Sequence, residues 1–478
     1  MKILKIVVFI CSFSFTQDVF DGLSLFTPGG GGVGQTVTST LLIDNDNNII
    51  NSWTHNRGPA SMPYLLPDSS IIYPYKVQQP TMANGGVGGG IQKISWDGTI
   101  LWDYVISNEN YQHHHDIEPM SNGNILLIAW ERKTIEDAYA MGRIEGTINN
   151  PLNEMWSEAI FEIQPIDYNN YEVVWEWHFW DHLVQYIDPN LSNYGNIPDH
   201  PELFDINLGN VGNSGNGQND HADWIHINAI DYNEYLNQIV FSSASQDEFF
   251  IIDHSTTTEE ASGHNGGNSG EGGDFLYRWG NPHNYGRGNV SDKTLEHQHS
   301  VNWIDENYPG EGHIILFNNG PNNSNSEILE VNLPLNDNGI YDIEDNLAYG
   351  PEVPFWSYEG DFHSQMQGGA FRLPNGNTFI TVAQFAYILE IDSNENIIWE
   401  YYYPGEDIII ARAQKYALDY LNNIFLGDLN HDEVINVLDI LIVVTMILDN
   451  EYNEIADLNE DGFINVIDII QIVNIILS

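Results

Sequence analysis

The sequence predicts an all-β fold, a six-bladed β-propeller, followed by a small α-helical domain. Two observations carry this reading. From about Ser24 to Leu421 the chain repeats a two-part strand phrase, and after Leu421 the composition changes to a short duplicated motif. At 478 residues the chain exceeds what one ordinary core accommodates, and a closed repeat architecture removes that difficulty.

The N-terminal stretch MKILKIVVFICSFSFTQ places Lys2 and Lys5 ahead of an apolar run from Ile6 to Phe15. That run is too short to span a bilayer and has the make-up of a secretory signal peptide, residues 1–16, cut near Thr16. Cys11, the only cysteine, lies inside it behind bulky Ile10, which argues against a lipoprotein site. The mature chain then has no thiol, so disulfides, a cysteine nucleophile and thiolate metal sites are excluded. No later segment reads as a membrane helix. A secreted, periplasmic or cell-surface protein is expected. Its 68 acidic residues against 14 basic ones give a net charge of −54. Such a surface repels nucleic acid and anionic membranes. An anionic substrate would need a local island of positive charge, and the 17 histidines outnumber Lys and Arg together.

One half of the repeated phrase is a hairpin ending in tryptophan or its neighbour: Leu41–Trp53, Ile91–Tyr104, Phe161–Trp177 and Tyr387–Tyr401, with degraded copies near Phe249–Trp279 and Ile328–Trp356. The other half is a strand pair: Ser61–Tyr75, Asp116–Trp130, Ile227–Ser243, Val301–Gly320 and Gly368–Val382. Apolar strands flank Asp/Asn/Gly turns in each, the chemistry a hairpin needs. Two hairpins make a four-stranded unit, and about six such units close radially without a long exposed edge. The sixth is incomplete, and Asp18–Pro28 is expected to supply its closing strand. Gly/Asn/Asp-rich inserts at Asn190–Asp220 and Ser262–Gly273 read as loops on one face.

Beyond Leu421, Gly427–Leu448 and Ala456–Leu477 repeat with a 29-residue period, each reading D-x-N-x-D-x-x-x-N-x-x-D before an apolar helix. Oxygens at positions 1, 3, 5, 7, 9 and 12 of such an EF-hand-type loop wrap a hard cation, calcium above all. The expected ligands are Asp428, Asn430, Asp432, Val434 (through its carbonyl), Asn436 and Asp439 in the first loop. In the second they are Asp457, Asn459, Asp461, Phe463 (carbonyl), Asn465 and Asp468. Position 12 is Asp where an EF-hand has Glu, and the duplicated form resembles the type I dockerin module over residues 427–478. Glu433 replaces the usual glycine at position 6 of the first loop. The resemblance implies a calcium-dependent docking module with a cohesin-like protein or cell-surface partner.

In YQHHHDIEPMSNGNILLIAW three consecutive histidines, His113–His115, stand before a strand. Histidines precede the corresponding strands of other units as well: His226, His299 and, less tightly in register, His363. His113, His226 and His299 each lie four residues before an apolar position, namely Ile117, Ile230 and Trp303. In a propeller, equivalent positions of successive blades converge on the central channel. His114 or a neighbour, His226, His299 and His363 are therefore expected near one end of it. Arg372 is the nearest candidate cation in sequence. Imidazole serves as nucleophile, general acid or metal ligand, and crowding should separate the pKa values so that a neutral and a protonated ring coexist near neutral pH. His178 and His182, in aromatic surroundings, read as structural.

From about Leu41 to Tyr420 the chain resembles the bacterial arylsulfate sulfotransferases, through HHDIEPMSNGNILLIAWE, VVWEWHFWDHL, ADWIHINAIDYN, IIDHSTTTEEASGH, LYRWGNP, HQHSVNWI, ILFNNG and RLPNGNTF. The resemblance implies a six-bladed propeller, residues 24–421, moving a sulfuryl group from a phenolic sulfate donor to a phenolic acceptor through a sulfated histidine. It implies His363 as the nucleophile, with His226 and His299 gripping the sulfate or protonating the leaving phenolate. The absence of a Gly-rich phosphate loop agrees with a nucleotide-independent reaction, with no cofactor in the propeller. One departure is the family's arginine after the FNNG-like turn, where this chain reads FNNGPNNSNSE. Losing one oriented oxyanion donor costs ~100–1000-fold in rate, so either Arg372 substitutes or transfer is slow, altered or absent. Two alternatives stay open: a metal-dependent propeller enzyme such as a polysaccharide lyase, and a non-catalytic binding propeller.

Overall fold

Outward from a central channel run six four-stranded antiparallel sheets, and their order follows the chain. The computed structural model describes residues 18–29, 37–212, 220–320, 324–336, 339–405, 407–421, 427, 429–430, 435–449, 453–459 and 462–477. The expected signal peptide lies outside them. The inner strands, in blade order, are Ile409–Ala417, Tyr64–Leu65, Tyr111–Pro119, Ile227–Asn233, His299–Trp303 and Gly369–Arg372. Each expected strand pair forms the inner half of a blade, and each tryptophan hairpin the outer half.

As expected, the segment Asp18–Pro28 supplies a strand to the incomplete blade, and a second strand that was not expected completes it. Gly22–Gly29 is the second strand of the first blade, and the innermost strand comes from the other end of the chain, Ile409–Ala417. The first and last strands of the propeller thereby pair in one sheet, with Gly22 opposite Ala417 and Phe26 opposite Ala413. Pairing the two ends removes the free edges that an incomplete sixth unit would leave.

Burial follows position in the blade. The second strand of the third blade, Ile125–Thr134, is buried from Ile125 through Glu131, whereas the outermost strand Ile49–His55 buries only Trp53 and His55. Central strands therefore read as continuous apolar runs and outer ones as alternating. The outer hairpins join neighbouring blades through polar tips. Trp53 Nε1 donates to the Ser95 carbonyl of the next blade at 2.9 Å, and Trp399 Nε1 to that of Asn45 at 2.9 Å. The Tyr104 hydroxyl reaches Asp167 O at 2.8 Å in the same manner. Each ring buries an apolar body between blades and satisfies its one polar atom.

On the channel side the blades meet at Asp116, which is fully buried. Its carboxylate accepts from Tyr64 OH of the second blade (2.8 Å), from the Ile230 amide of the fourth (3.3 Å), and from the Arg412 guanidinium of the first. Further round, the Trp303 amide donates to Asp231 at 2.7 Å and Asn302 Nδ2 to Ala370 O at 3.0 Å.

Asp116→Ala is expected to lower the free energy of unfolding in urea by ~3–5 kcal/mol, because it strands a buried guanidinium. Asp116→Ala/Arg412→Met, which removes both charges, should lose clearly less than the sum of the single changes.

Candidate functional site

The imidazoles reach the channel through interruptions in inner-strand pairing. In the third blade His113 pairs with Ala129 and Ile117 with Leu127, so four steps of one strand oppose two of the other. The surplus bulges out, and His115 sits there at φ 50°. A side chain on Gly86 would come within 2.0 Å of the His115 ring, so only glycine leaves that ring its place. In the fourth blade His226, φ 56°, stands just before Ile227, and the register slips between Ile227 and Ala229. In the fifth the slip follows His299 itself.

Three imidazoles are brought together, each with one nitrogen fixed. His226 Nδ1 lies 2.5 Å from Asp223 Oδ2, and that same oxygen accepts from Asn84 Nδ2 at 2.7 Å. The His115 ring stands edge-on to that of His226, centroids 4.7 Å apart. His115 Nδ1 is 2.9 Å from His114 Nδ1, whose Nε2 is 2.8 Å from Glu158 Oε2. His299 Nδ1 donates to Asn319 Oδ1 at 2.8 Å and His297 O at 3.0 Å, which leaves Nε2 as the lone-pair nitrogen. A cavity of about 10 Å³, room for one water, is walled by His115, His299, Ser61, Asn228, Gln367 and Arg412, among others.

Burial dominates the electrostatics. His299 is pushed down to about 3 by desolvation, reinforced by His297. His115 is held well below its ordinary value by burial first, then by His226, His114 and His299. Burial and the charge of Asp223 raise Glu158 far above the carboxylate range. Asp223 is fully desolvated, which opposes its ionisation, yet His226 beside it holds its carboxyl below the usual value. At neutral pH His115 and His299 are both neutral, so crowding does not produce the expected protonated–neutral pair between them. The cation lining the cavity is Arg412, whose charge Asp116 reinforces.

Residues 76–387 match the family model for arylsulfotransferase (ASST). The chain belongs to that family. Residues 426–477 match the type I dockerin domain. No curated protein matches the chain. Similarity to solved structures is distant. A protein of unknown function from Bacteroides caccae has 12% identity and a TM-score of 0.43, over 82% of this chain and 98% of that one. Apo AztD from Citrobacter koseri has 9% and 0.36, over 83% and 99%. Virginiamycin B lyase from Staphylococcus aureus has 11% and 0.35, over 81% and 90%.

Among the residues that the arylsulfotransferase resemblance singles out, His226 and His299 belong to the imidazole group. His114 stands behind it, fully buried, stacked on Trp130 at 4.2 Å and bridging Glu158 to His115. Counting back four residues selects His113, but the bulge carries His115 to the channel, while His113 Nδ1 accepts the Gly89 amide of the second blade at 3.0 Å. His363, like His226, is outside the wall of the small cavity, and both ring nitrogens of His363 are enclosed without a hydrogen-bond partner. Its loop is tied to the site through Asn319 Nδ2, which donates to the carbonyls of Ser364 (2.7 Å) and Gln367 (2.8 Å). Arg372 lies three residues down the inner strand from Gly369, about 10 Å at strand rise. It pairs with Glu330 at 2.5 Å and lines a second cavity of about 250 Å³, with Glu118, Asp231 and Asp305. Arg412 borders both cavities. Sequence reading missed Arg412, Glu158, Asp223 and Asn319. Only the last two carry a signal, in ADWIH and FNNG.

In the dockerin domain, helices Val437–Asp449 and Val466–Leu477 pack through buried Val443 and Ile472. Asp439 accepts the amides of Leu429, Asn430 and Asn436 at 2.8–3.2 Å, and Asp468 those of Leu458 and Asn465 at 3.0 and 2.8 Å. Gly462, φ 80°, donates to Asp457 at 2.8 Å. Asp439, Asp457 and Asp468 are buried in a segment, 427–478, that contains no Lys or Arg. Buried carboxylates with no cationic side chain of their own fit a hard divalent ion. Asn430, Asn436, Asn459, Phe463 and Asn465 lie in the same two loops, while Asp428, Asp432, Val434 and Asp461 lie outside the described residues.

Two outcomes are expected. Chelating calcium from the full-length protein should remove helical circular dichroism while leaving the β signal, and helicity should return with added calcium. The second concerns acid. Folded His299 resists protonation down to about 3 whereas the unfolded side chain binds a proton near 6.5, so this group lowers stability as pH falls through that window. Between pH 6 and 4 the stability of His299→Gln should therefore fall less steeply than that of the wild type, by up to ~1.4 kcal/mol per pH unit in urea titrations.

Proposed function

We propose that this protein transfers a sulfuryl group from a phenolic sulfate ester to a phenolic acceptor through a sulfated His226, outside the cell and tethered by its dockerin. One observation carries the choice of residue: the Asp223–His226 pair. A carboxylate that accepts Nδ1–H turns the Nε2 lone pair outward and stabilises the cation formed when that nitrogen is substituted. His226 is also the most accessible of the three, at 14% exposure. His363, which the family resemblance favours, has no such orienting partner.

In the first half-reaction Nε2 of His226 bonds to sulfur as the sulfur–oxygen bond to the aryl group breaks, and the phenolate leaves with the electron pair. In the second, the acceptor phenol loses its proton to solvent or to the departing phenolate, and its oxygen displaces Nε2. His115 and His299, held neutral by burial, flank the reacting ring without forming a bond to sulfur. Arg412, though paired with Asp116, is the cation on the wall of the small cavity and takes the place of the missing arginine of the FNNG turn. Arg372, committed to Glu330, belongs to the second cavity in this scheme.

The dockerin explains the destination. Val437, Leu438 and Leu441 are exposed on the first helix, and Val466, Ile467 and Ile470, each 29 residues on, are exposed on the second. Two equivalent apolar faces suit a cohesin, with calcium holding the loops that orient them.

The test is incubation with an aryl sulfate and a phenol, reading phenolate release and, by mass spectrometry, the mass gain of one sulfuryl group on a histidine peptide. His226→Ala should abolish both signals, and Asp223→Asn should slow release by ~100-fold or more. His363→Ala should keep the modified peptide. Sulfation persisting in His226→Ala would move the nucleophile to another ring and sink this assignment.

A further inference from the structure

We propose that His182, His264 and Asp274 form a binding site for a transition-metal ion, with zinc the best match, at the periphery of the propeller away from the imidazole channel. His182 follows the outermost strand of the third blade, Tyr171–His178. His264 and Asp274 belong to the Gly-rich insert that joins the third and fourth strands of the fourth blade. Three donor atoms, one from each residue, lie within 4.8 Å of one another. Asp274 Oδ1 is 2.7 Å from His182 Nδ1 and 2.9 Å from His264 Nδ1.

The protons decide the chemistry. His182 Nε2 lies 2.9 Å from the Ala261 carbonyl, an acceptor only, so Nε2 carries a proton. Nδ1 of that ring then points a lone pair at a carboxylate unless a second proton or a cation lies between them. A ring whose remote N–H is anchored by a backbone carbonyl, with its near nitrogen turned toward a carboxylate, is the arrangement of metal-bound histidines. The orientation is rigid. His182 is fully buried and stacks on Trp177 at 5.3 Å, 3° from parallel. A Cβ on Gly273 would come within 2.0 Å of Ala261 O and 2.8 Å of the His182 ring, so glycine keeps the approach open.

Two imidazole nitrogens and one carboxylate are borderline-soft ligands suited to zinc, and three protein ligands leave a fourth position for water or another ligand. Tetrahedral bonds of ~2.0–2.1 Å imply donor separations of ~3.3 Å. The two imidazole nitrogens stand 2.7 and 2.9 Å from Asp274 Oδ1 and within 4.8 Å of each other, so metal entry asks for a spread of about half an ångström at the carboxylate. His264, 57% exposed, is free to provide it. His264 and Asp274 also form part of the wall of a cavity of about 940 Å³ that includes Trp180, Phe275 and Tyr341. The open position therefore has room for an anionic or hydroxylated ligand of the metal. Neither the sulfuryl-transfer scheme nor the calcium loops use these residues.

The test uses the full-length protein with calcium in excess, so that the dockerin loops are filled. After chelation and equilibrium dialysis against zinc, elemental analysis should find one more zinc per chain in the wild type than in His264→Ala, and Asp274→Asn should match the alanine variant. Removing one of three ligands should cost more than the 10–100-fold typical of an outer-shell partner. Zinc should raise the melting temperature of the wild type and leave that of His264→Ala unmoved. Equal zinc in wild type and His264→Ala overturns the proposal. So does zinc that survives His264→Ala and is lost with His226→Ala, which would place the ion in the channel.

Discussion

The Asp116 carboxylate is the constraint on which the rest of the ring depends. It is buried, it faces the axis, and its acceptors are taken by groups from the first, second and fourth blades. A charge in that position is tolerable only while Arg412 stays opposite it, and Arg412 is tolerable only while the first blade is closed. Closure of the fold and placement of a positive charge beside His115 and His299 are therefore one event. A chain of net charge −54 has few cations to spend, and this one is held beside the buried imidazoles, where little water screens it.

Around that charge, the site is made from backbone irregularity. Inner strands that paired without interruption would point successive side chains alternately into the channel and into the blade. The bulge after His113 and the slips after Ile227 and His299 turn imidazoles toward one another instead. Left-handed conformations at His115 and His226 cost strain, which surrounding hydrogen bonds hold in place. Glu158 illustrates this: one of its oxygens takes the Ile227 amide at 2.9 Å while the other faces His114, so one buried carboxyl fixes both the third and the fourth blade at the site.

Architecture was legible in the sequence because it is written in periodicity. Apolar runs such as ILLIAW and turns such as SNGN and PNGN recur at the pitch of a hairpin, and the 29-residue duplication spells out its own loops. The site was legible only to the level of residue type and neighbourhood. Two added residues in a strand change which ring faces the channel without changing the apolar pattern, so the count that selects His113 cannot see that His115 takes the place. Arg412 sits in the unremarkable run IIARAQ, and its partner Asp116 is 296 positions away. Nothing local marks such a pair. Arg372, by contrast, looks exposed to the chemistry in sequence, but the strand carries it past the imidazoles to Glu330. The N-terminal strand of the shared blade was legible, but hydrophobicity alone does not show that Ile409–Ala417 takes its inner lane.

That shared blade has a mechanical meaning. Ile409–Ala417 is the last strand before the dockerin, so a load applied through a docked partner enters the propeller along it. Two of its side chains are ionic pins sunk in the protein: Arg412 against Asp116, and Lys415 against Glu390 at 2.7 Å, neither Lys415 nor Glu390 exposed. Drawing the strand out under tension would drag both cations from their counter-ions through a medium of low polarizability, as well as shear the ladder to Gly22–Gly29. A pull on the dockerin would thus meet two buried ion pairs before the ring could open.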